Sequence, residues 1–236
     1  MKKINIKVIR KIILSILIVS LILIMGFIIY AMDYMHADEN ANSIKELNNV
    51  TMFDNGDYLL KGTGDIGIIF YPGAKVEEEA YLPLLEKLRE QGYNCILVKM
   101  PLRFAFLGIN SADYYIDEYS EINTWYLAGH SLGGAMASDY ASKNGDLVDG
   151  LILLGAYIYG DIEPQKTITI YGENDLNLDK SKLGDTNVYM IEGGNHAGFG
   201  NYGIQSGDGE LKITRDEQQD IAVKLIKNFI EEGADK

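Results

Sequence analysis

From Ile12 to Met32 the chain reads IILSILIVSLILIMGFIIYAM, 21 residues without a charge. As a helix this run would reach about 32 Å, enough to cross a hydrocarbon core of about 30 Å. A buried helix of a globular domain is normally amphipathic, whereas this run is apolar all round. It is therefore set apart from whatever the rest of the chain folds into. Lys2, Lys3, Lys7, Arg10 and Lys11 precede or flank it, and all 34 acidic residues lie beyond it. The positive-inside rule keeps the basic flank, residues 1–11, in the cytoplasm and sends the acidic body out. A cleaved signal peptide is the alternative, but its apolar region is typically only about 7–15 residues long. With a longer run and no clear A-x-A cleavage site, residues 12–32 are expected to be an uncleaved, single-pass signal anchor. Residues 33–50 are polar and rich in Asn, and read as a juxtamembrane linker. That leaves 51–236 as one domain.

The body's acidity excludes partners that present phosphate backbones, so no nucleic-acid partner is expected. One cysteine, Cys95, permits neither an internal disulfide nor a multi-cysteine metal site. Short apolar runs at 66–71, 93–100, 124–129, 148–159, 166–172 and 186–193 read as strands. Helical patterns alternate with them: 77–91 with Pro83 near its first turn, 111–119, 132–144, and a last helix opening at Thr214. Thr214 and Glu217 have capping-box spacing, and Ile221, Leu225, Ile226, Phe229 and Ile230 share one helical face. Strands alternating with helices predict an α/β domain, a doubly wound and mostly parallel sheet, with its site at the carboxyl ends of the strands.

The chemistry-bearing motif is Gly129-His130-Ser131-Leu132-Gly133, placed where the strand 124–129 turns into the helix 132–144. A serine on such a sharp turn is lifted above the sheet edge as a nucleophile, with the helix N-terminus aimed at the reacting centre. A hydroxyl needs a base, and the chain has three histidines. His36 lies in the linker and His130 sits inside the turn, where a structural part is expected. His196, just after the last strand, is the candidate base. An acid between Ser131 and His196 should orient it. Asp175, on the loop after the strand 166–172, fits best, with Glu173, Asp161, Asp179 and Asp185 as rivals. Acyl transfer also needs oxyanion donors. Leu132 N–H is one candidate, and Gly73 or Ala74, after the strand 66–71, offers the second. The loop Met100–Gly108 either lines an acyl pocket or packs beneath itself. Gly207-Asp208-Gly209-Glu210 and Asp54-Asn55-Gly56-Asp57 lack full calcium-ligand spacing and read as turns.

Through FYPGAKV, GHSLGG, IYGENDLN and GGNHAGFGNYG, residues 64–232 resemble the α/β-hydrolase superfamily. They look most like its compact bacterial members related to the dienelactone-hydrolase-like esterases. The resemblance implies hydrolysis of an ester, thioester or lactone through an acyl-enzyme on Ser131, with Asp175 and His196 as partners and no metal or organic cofactor. It departs from dienelactone hydrolases in carrying serine where they carry a cysteine nucleophile. Only Gly160–Gln165 separates the strands where lipase-like members insert a lid. The expected protein is a membrane-anchored extracytoplasmic serine hydrolase acting on a small-molecule or envelope ester. An acyltransferase or peptidase with the same triad is the alternative, as is a catalytically silent binding module.

Overall fold

A computed structural model describes residues 6–234; Lys2 and Lys3 of the basic flank lie outside them. The chain divides into two units, residues 1–34 and 35–236. The described residues of the first form one helix, α1 (Ile6–Met32), which starts ahead of the uncharged run and takes in Lys7, Arg10 and Lys11. From Lys7 to Met32 it is long and apolar enough to cross a membrane.

The second unit is one eight-stranded sheet in the order β1-β2-β4-β3-β5-β6-β7-β8. Its strands are β1 (Val50–Met52), β2 (Tyr58–Leu60), β3 (Ile66–Tyr71), β4 (Asn94–Leu97), β5 (Thr124–His130), β6 (Gly150–Leu154), β7 (Thr167–Gly172) and β8 (Val188–Ile191). From β4 to β8 every pairing is parallel, and β1 and β2 add an antiparallel edge beside β4. The edge pair is absent from the sequence expectation because each strand has only three residues, too few for alternation to register.

Both faces of the sheet are covered, which is why the central strands are apolar throughout rather than alternating. In β3, Ile68 and Phe70 join one core and Ile69 and Tyr71 the other. The first core packs under α3 (Leu82–Glu90) and α6 (Arg215–Ala234), the second under α4 (Ser111–Glu118) and α5 (Leu132–Lys143). Pro83 sits in the first turn of α3, where its missing N–H costs no helical bond. The Thr214–Glu217 capping box forms, with Thr214 N–H donating to Glu217 Oε2 at 2.7 Å and Glu217 N–H to Thr214 Oγ1 at 3.1 Å. The buried face of α6 is Ala222, Val223, Ile226 and Ile230, so Ile221 turns outward, one position off the expected stripe.

The linker expected over 33–50 is largely folded into the body. Met35 N–H donates to Lys75 O, and Glu77 N–H to Met35 O, both at 2.8 Å. A short helix, α2 (Glu39–Ile44), follows, with the Asp38 carboxylate accepting Ala41 N–H at its start and Ala41 fully buried. Asp38 also receives Asn201 Nδ2 at 3.1 Å, and Ala37 N–H donates to Glu77 Oε2 at 2.8 Å. A polar sequence looks like a solvated stalk when its partners lie far away in the chain. A body beginning at Met35 should therefore be more stable than one beginning at Val50, which strands Asn201 and Glu77. We expect a thermal midpoint higher by at least about 5 °C for the longer fragment, read by calorimetry; equal midpoints would make 35–49 dispensable.

Candidate active site

The sheet changes direction of winding between β3 and β5: β3 leads out to β4 on one side, and β5 begins the run to β8 on the other. Such a switch point leaves a crevice beyond the carboxyl ends of those two strands. The loop after β3 carries Gly73 and Ala74, and the turn after β5 carries Ser131.

Ser131 holds φ 53° and ψ −123°, a region that non-glycine residues seldom occupy and that costs roughly 1–3 kcal/mol. The surroundings impose it. Its N–H donates to Leu154 O at 3.0 Å, and its carbonyl accepts Ala135 N–H at 3.1 Å, closing the first turn of α5. Any Cβ at Gly133 would lie 2.1 Å from Tyr71 O and 2.3 Å from Pro72 O, so only glycine lets α5 begin this close to the end of β3. The Ser131 side chain is half-buried. Leu132 N–H, in the first turn, has no intrahelical acceptor.

Asp175 and His196 meet as a buried pair, each 1% exposed, with His196 Nδ1 2.8 Å from Asp175 Oδ2. The carboxylate can only accept, so the ring carries its proton on Nδ1. Asp175 Oδ1 accepts the N–H groups of Asn177 and Leu178, both at 2.9 Å, which holds the carboxylate in plane. The other ring nitrogen, His196 Nε2, is buried and has no hydrogen-bond partner. Gly155, just past β6, makes room for the pair: at φ 53°, a Cβ there would stand 2.9 Å from His196 Nδ1 and 3.2 Å from Asp175 Oδ2. Ser131, Leu132, Gly155, Tyr157, Asn177 and Leu178 line a cleft of about 290 Å³ at this end of the sheet.

Two of the rival acids are used elsewhere. Glu173 Oε2 accepts Gly193 N–H at 3.0 Å, and Asp179 Oδ1 accepts Ser181 N–H at 3.2 Å. His36 stands 3.5 Å from Glu77, on the packed segment before α2. Cys95 is fully buried in β4 and burial pushes its thiol up, leaving it a packing residue. None of Met100–Gly108 lines the cleft; Leu102, Phe106 and Leu107 are exposed, and Lys75 N–H ties the loop in through Arg103 O at 3.0 Å. Among the described residues no cluster of His, Cys, Asp and Glu could hold a metal ion. The stretch between β6 and β7 holds only a short turn, Pro164–Lys166.

Of the two candidate second donors, Gly73 is already committed. Its N–H donates to Tyr81 Oη at 3.1 Å, which leaves Ala74 N–H as the open one. Tyr81 carried no sequence signal, yet it starts a buried chain of hydrogen bonds. Its hydroxyl lies 2.8 Å from His130 Nδ1, and His130 Nε2 lies 3.0 Å from His196 O. A carbonyl can only accept, so His130 is protonated on Nε2 and takes the Tyr81 proton on Nδ1. Every donor points the same way, from Gly73 through Tyr81 and His130 to the backbone of His196. Burial, followed by the nearby His196 ring, holds the His130 imidazole well below the usual histidine range, and burial pushes the Tyr81 phenol up.

A histidine kept neutral in the fold but free to charge when unfolded makes stability rise with pH. Folding stability should fall as pH drops below about 6.5, by up to about 1.4 kcal/mol per unit. In His130→Phe that contribution to the slope should vanish. The same variant strands the Tyr81 hydroxyl and the His196 carbonyl, and should lose about 2–4 kcal/mol at neutral pH. Urea unfolding across pH 5–8 checks both.

The model of the alpha/beta hydrolase family matches residues 67–220. No curated protein matches the sequence. Among solved structures, MGS-MChE2, an alpha/beta hydrolase enzyme from the metagenome of lagoon sediments at Mar Chica, Morocco, is similar at 15% identity and a TM-score of 0.56. The match covers 78% of this chain and 99% of that one. Est1E from Butyrivibrio proteoclasticus is similar at 15% identity and a TM-score of 0.56, over 80% of this chain and all of that one. A dienelactone hydrolase from Anabaena variabilis matches at 16% identity and a TM-score of 0.53, over 77% and 99% of the two chains. At these identities the likeness is one of fold.

Proposed function

We propose that this chain, which belongs to the alpha/beta hydrolase family, is a serine hydrolase that cleaves a carboxylic ester, thioester or lactone through an acyl-enzyme on Ser131. One observation carries the reading. A buried histidine, oriented by a carboxylate at 2.8 Å, keeps its second nitrogen unpaired, and its ring lies 4.5 Å from that of His130, the residue that precedes the strained serine. A buried polar atom without a partner costs roughly 1–3 kcal/mol, a cost a fold retains where the atom has work to do.

Ser131 Oγ attacks the carbonyl carbon while His196 Nε2 takes its proton. Asp175 holds the ring in place and stabilises the imidazolium. The carbonyl oxygen, now negative, receives Leu132 N–H and Ala74 N–H. Collapse of the tetrahedral intermediate breaks the bond to the leaving oxygen or sulfur, which leaves with the proton from Nε2. Water then repeats the sequence on the acyl-enzyme, freeing the acid and restoring Ser131. With no inserted cap between β6 and β7, the cleft is open to small esters.

Ser131→Ala should lower turnover of p-nitrophenyl acetate by a factor on the order of 10,000 and abolish labelling by a fluorophosphonate probe. Equal labelling of variant and wild type would place the nucleophile elsewhere.

We further propose that α1 anchors the protein as a single-pass helix, with the hydrolase body outside. Its length, its apolar surface on all sides and its basic start support this. The chain should stay in the membrane pellet after alkaline carbonate extraction. Protease added to intact cells should remove the body; a body protected until lysis would reverse the orientation.

A further inference from the structure

The peptide of His196 is held by side chains from other segments. After β8 the chain runs through Glu192–Asn195 to His196, which at φ −65° and ψ −49° opens a short turn, Ala197–Phe199. The first N–H groups of such a turn have no partner within it. Here one carboxylate takes them. Asp208 Oδ1 accepts His196 N–H at 3.2 Å and Oδ2 accepts Ala197 N–H at 2.8 Å. Asp208 is itself held in a tight turn, where Oδ1 also accepts Gly209 N–H at 2.8 Å and Asp208 N–H donates to Gln205 O at 3.2 Å. Asn195 Nδ2 donates to Gly209 O at 2.8 Å, tying that turn to the residue before His196. Gln218 of α6, fully buried, grips Asn195 twice: its Oε1 accepts Asn195 N–H at 3.0 Å and its Nε2 donates to Asn195 O at 2.8 Å.

The two ends of His196 are thus held independently, the N–H by Asp208 and the carbonyl by His130. No strand ladder supports this residue, so its direction depends on those acceptors and donors. We propose that Asp208 is a positioning residue for the base: its carboxylate fixes the His196 peptide so that Nδ1 stays on Asp175 and Nε2 stays available to Ser131. The turn Gly207–Glu210, calcium-like only in composition, has its carboxylate occupied by backbone N–H groups and serves the histidine loop. The inference rests on the reading of Ser131 as nucleophile and His196 as its base.

The test uses the full chain in detergent, with p-nitrophenyl acetate as substrate and active sites counted by fluorophosphonate titration. Asp208→Ala should lower kcat per titrated site by about 10- to 100-fold with KM changed by less than about twofold, since a displaced base slows chemistry rather than binding. Asp208→Asn, which keeps an amide oxygen to accept one of the two N–H groups, should recover most of that loss. Wild-type turnover per titrated site in Asp208→Ala would overturn the proposal. So would a loss confined to the number of titratable sites, which is what a purely stabilising residue produces. Ser131→Ala and His196→Ala in the same assay keep the two claims apart. If both are inactive while Asp208→Ala is normal, only the positioning role fails. If either retains turnover, the triad reading fails and the positioning role with it.

Discussion

Parallel strands that wind outward in both directions from β3 and β5 leave a crevice at the carboxyl ends of those two strands, and every part of the candidate site hangs on that crevice. The loop after β3 brings Ala74 to one side and the turn after β5 brings Ser131 to the other. Their closeness demands that α5 begin against the Tyr71 and Pro72 carbonyls, which in turn demands a residue without Cβ at Gly133. The strained backbone of Ser131 is a consequence of the same geometry: the chain must leave a buried strand and enter a helix within one residue. The hydrogen bond to Leu154 O holds it there.

Around this turn the fold buries polar groups and satisfies nearly all of them. Gly73, Tyr81, His130 and the His196 carbonyl form one directional chain, in which each hydrogen bond polarises the next. Such a chain ties the loop after β3 to the loop after β8, two segments that share no strand pairing. It also leaves His130, next to Ser131 in sequence, no nitrogen free to act as a base: both are used, and burial keeps it neutral. The exception within this group is His196 Nε2, which is buried without a hydrogen-bond partner.

The six parallel strands were legible because each is a short run rich in Val, Ile, Leu and Tyr, and in the central strands β3 and β6 the run is apolar throughout, as a sheet buried on both faces requires. The start of the last helix was legible from local chemistry at Thr214, whereas the helix expected over 77–91 opens with a short 3₁₀ turn, Glu78–Tyr81, and becomes α-helical only at Leu82. Strand 148–159 was read too long: β6 stops at Leu154 because Gly155 turns to positive φ, and the apolar residues beyond it line a loop. The edge strands β1 and β2, with three residues apiece, lacked enough positions to show a period. The packed segment from Met35 to Asn49 looked like a linker because what makes it structural is a set of hydrogen bonds to Lys75, Glu77 and Asn201.

The sequence by itself determined what depends on neighbouring residues: a helix of membrane-crossing length, the order of the six parallel strands and the helices between them, a serine on a strand-to-helix turn, and a histidine after the last strand. Tertiary structure decided what depends on distant residues meeting. It brought Asp175, among several acids, to His196 at 2.8 Å; it spent Gly73 N–H on Tyr81 and left Ala74 open; it gave Asp208 the backbone of the histidine loop. The division has one physical cause. Helix periods, turns and caps are set within a few residues of chain, whereas a hydrogen bond between residues far apart in the chain exists only once the sheet has brought its ends together.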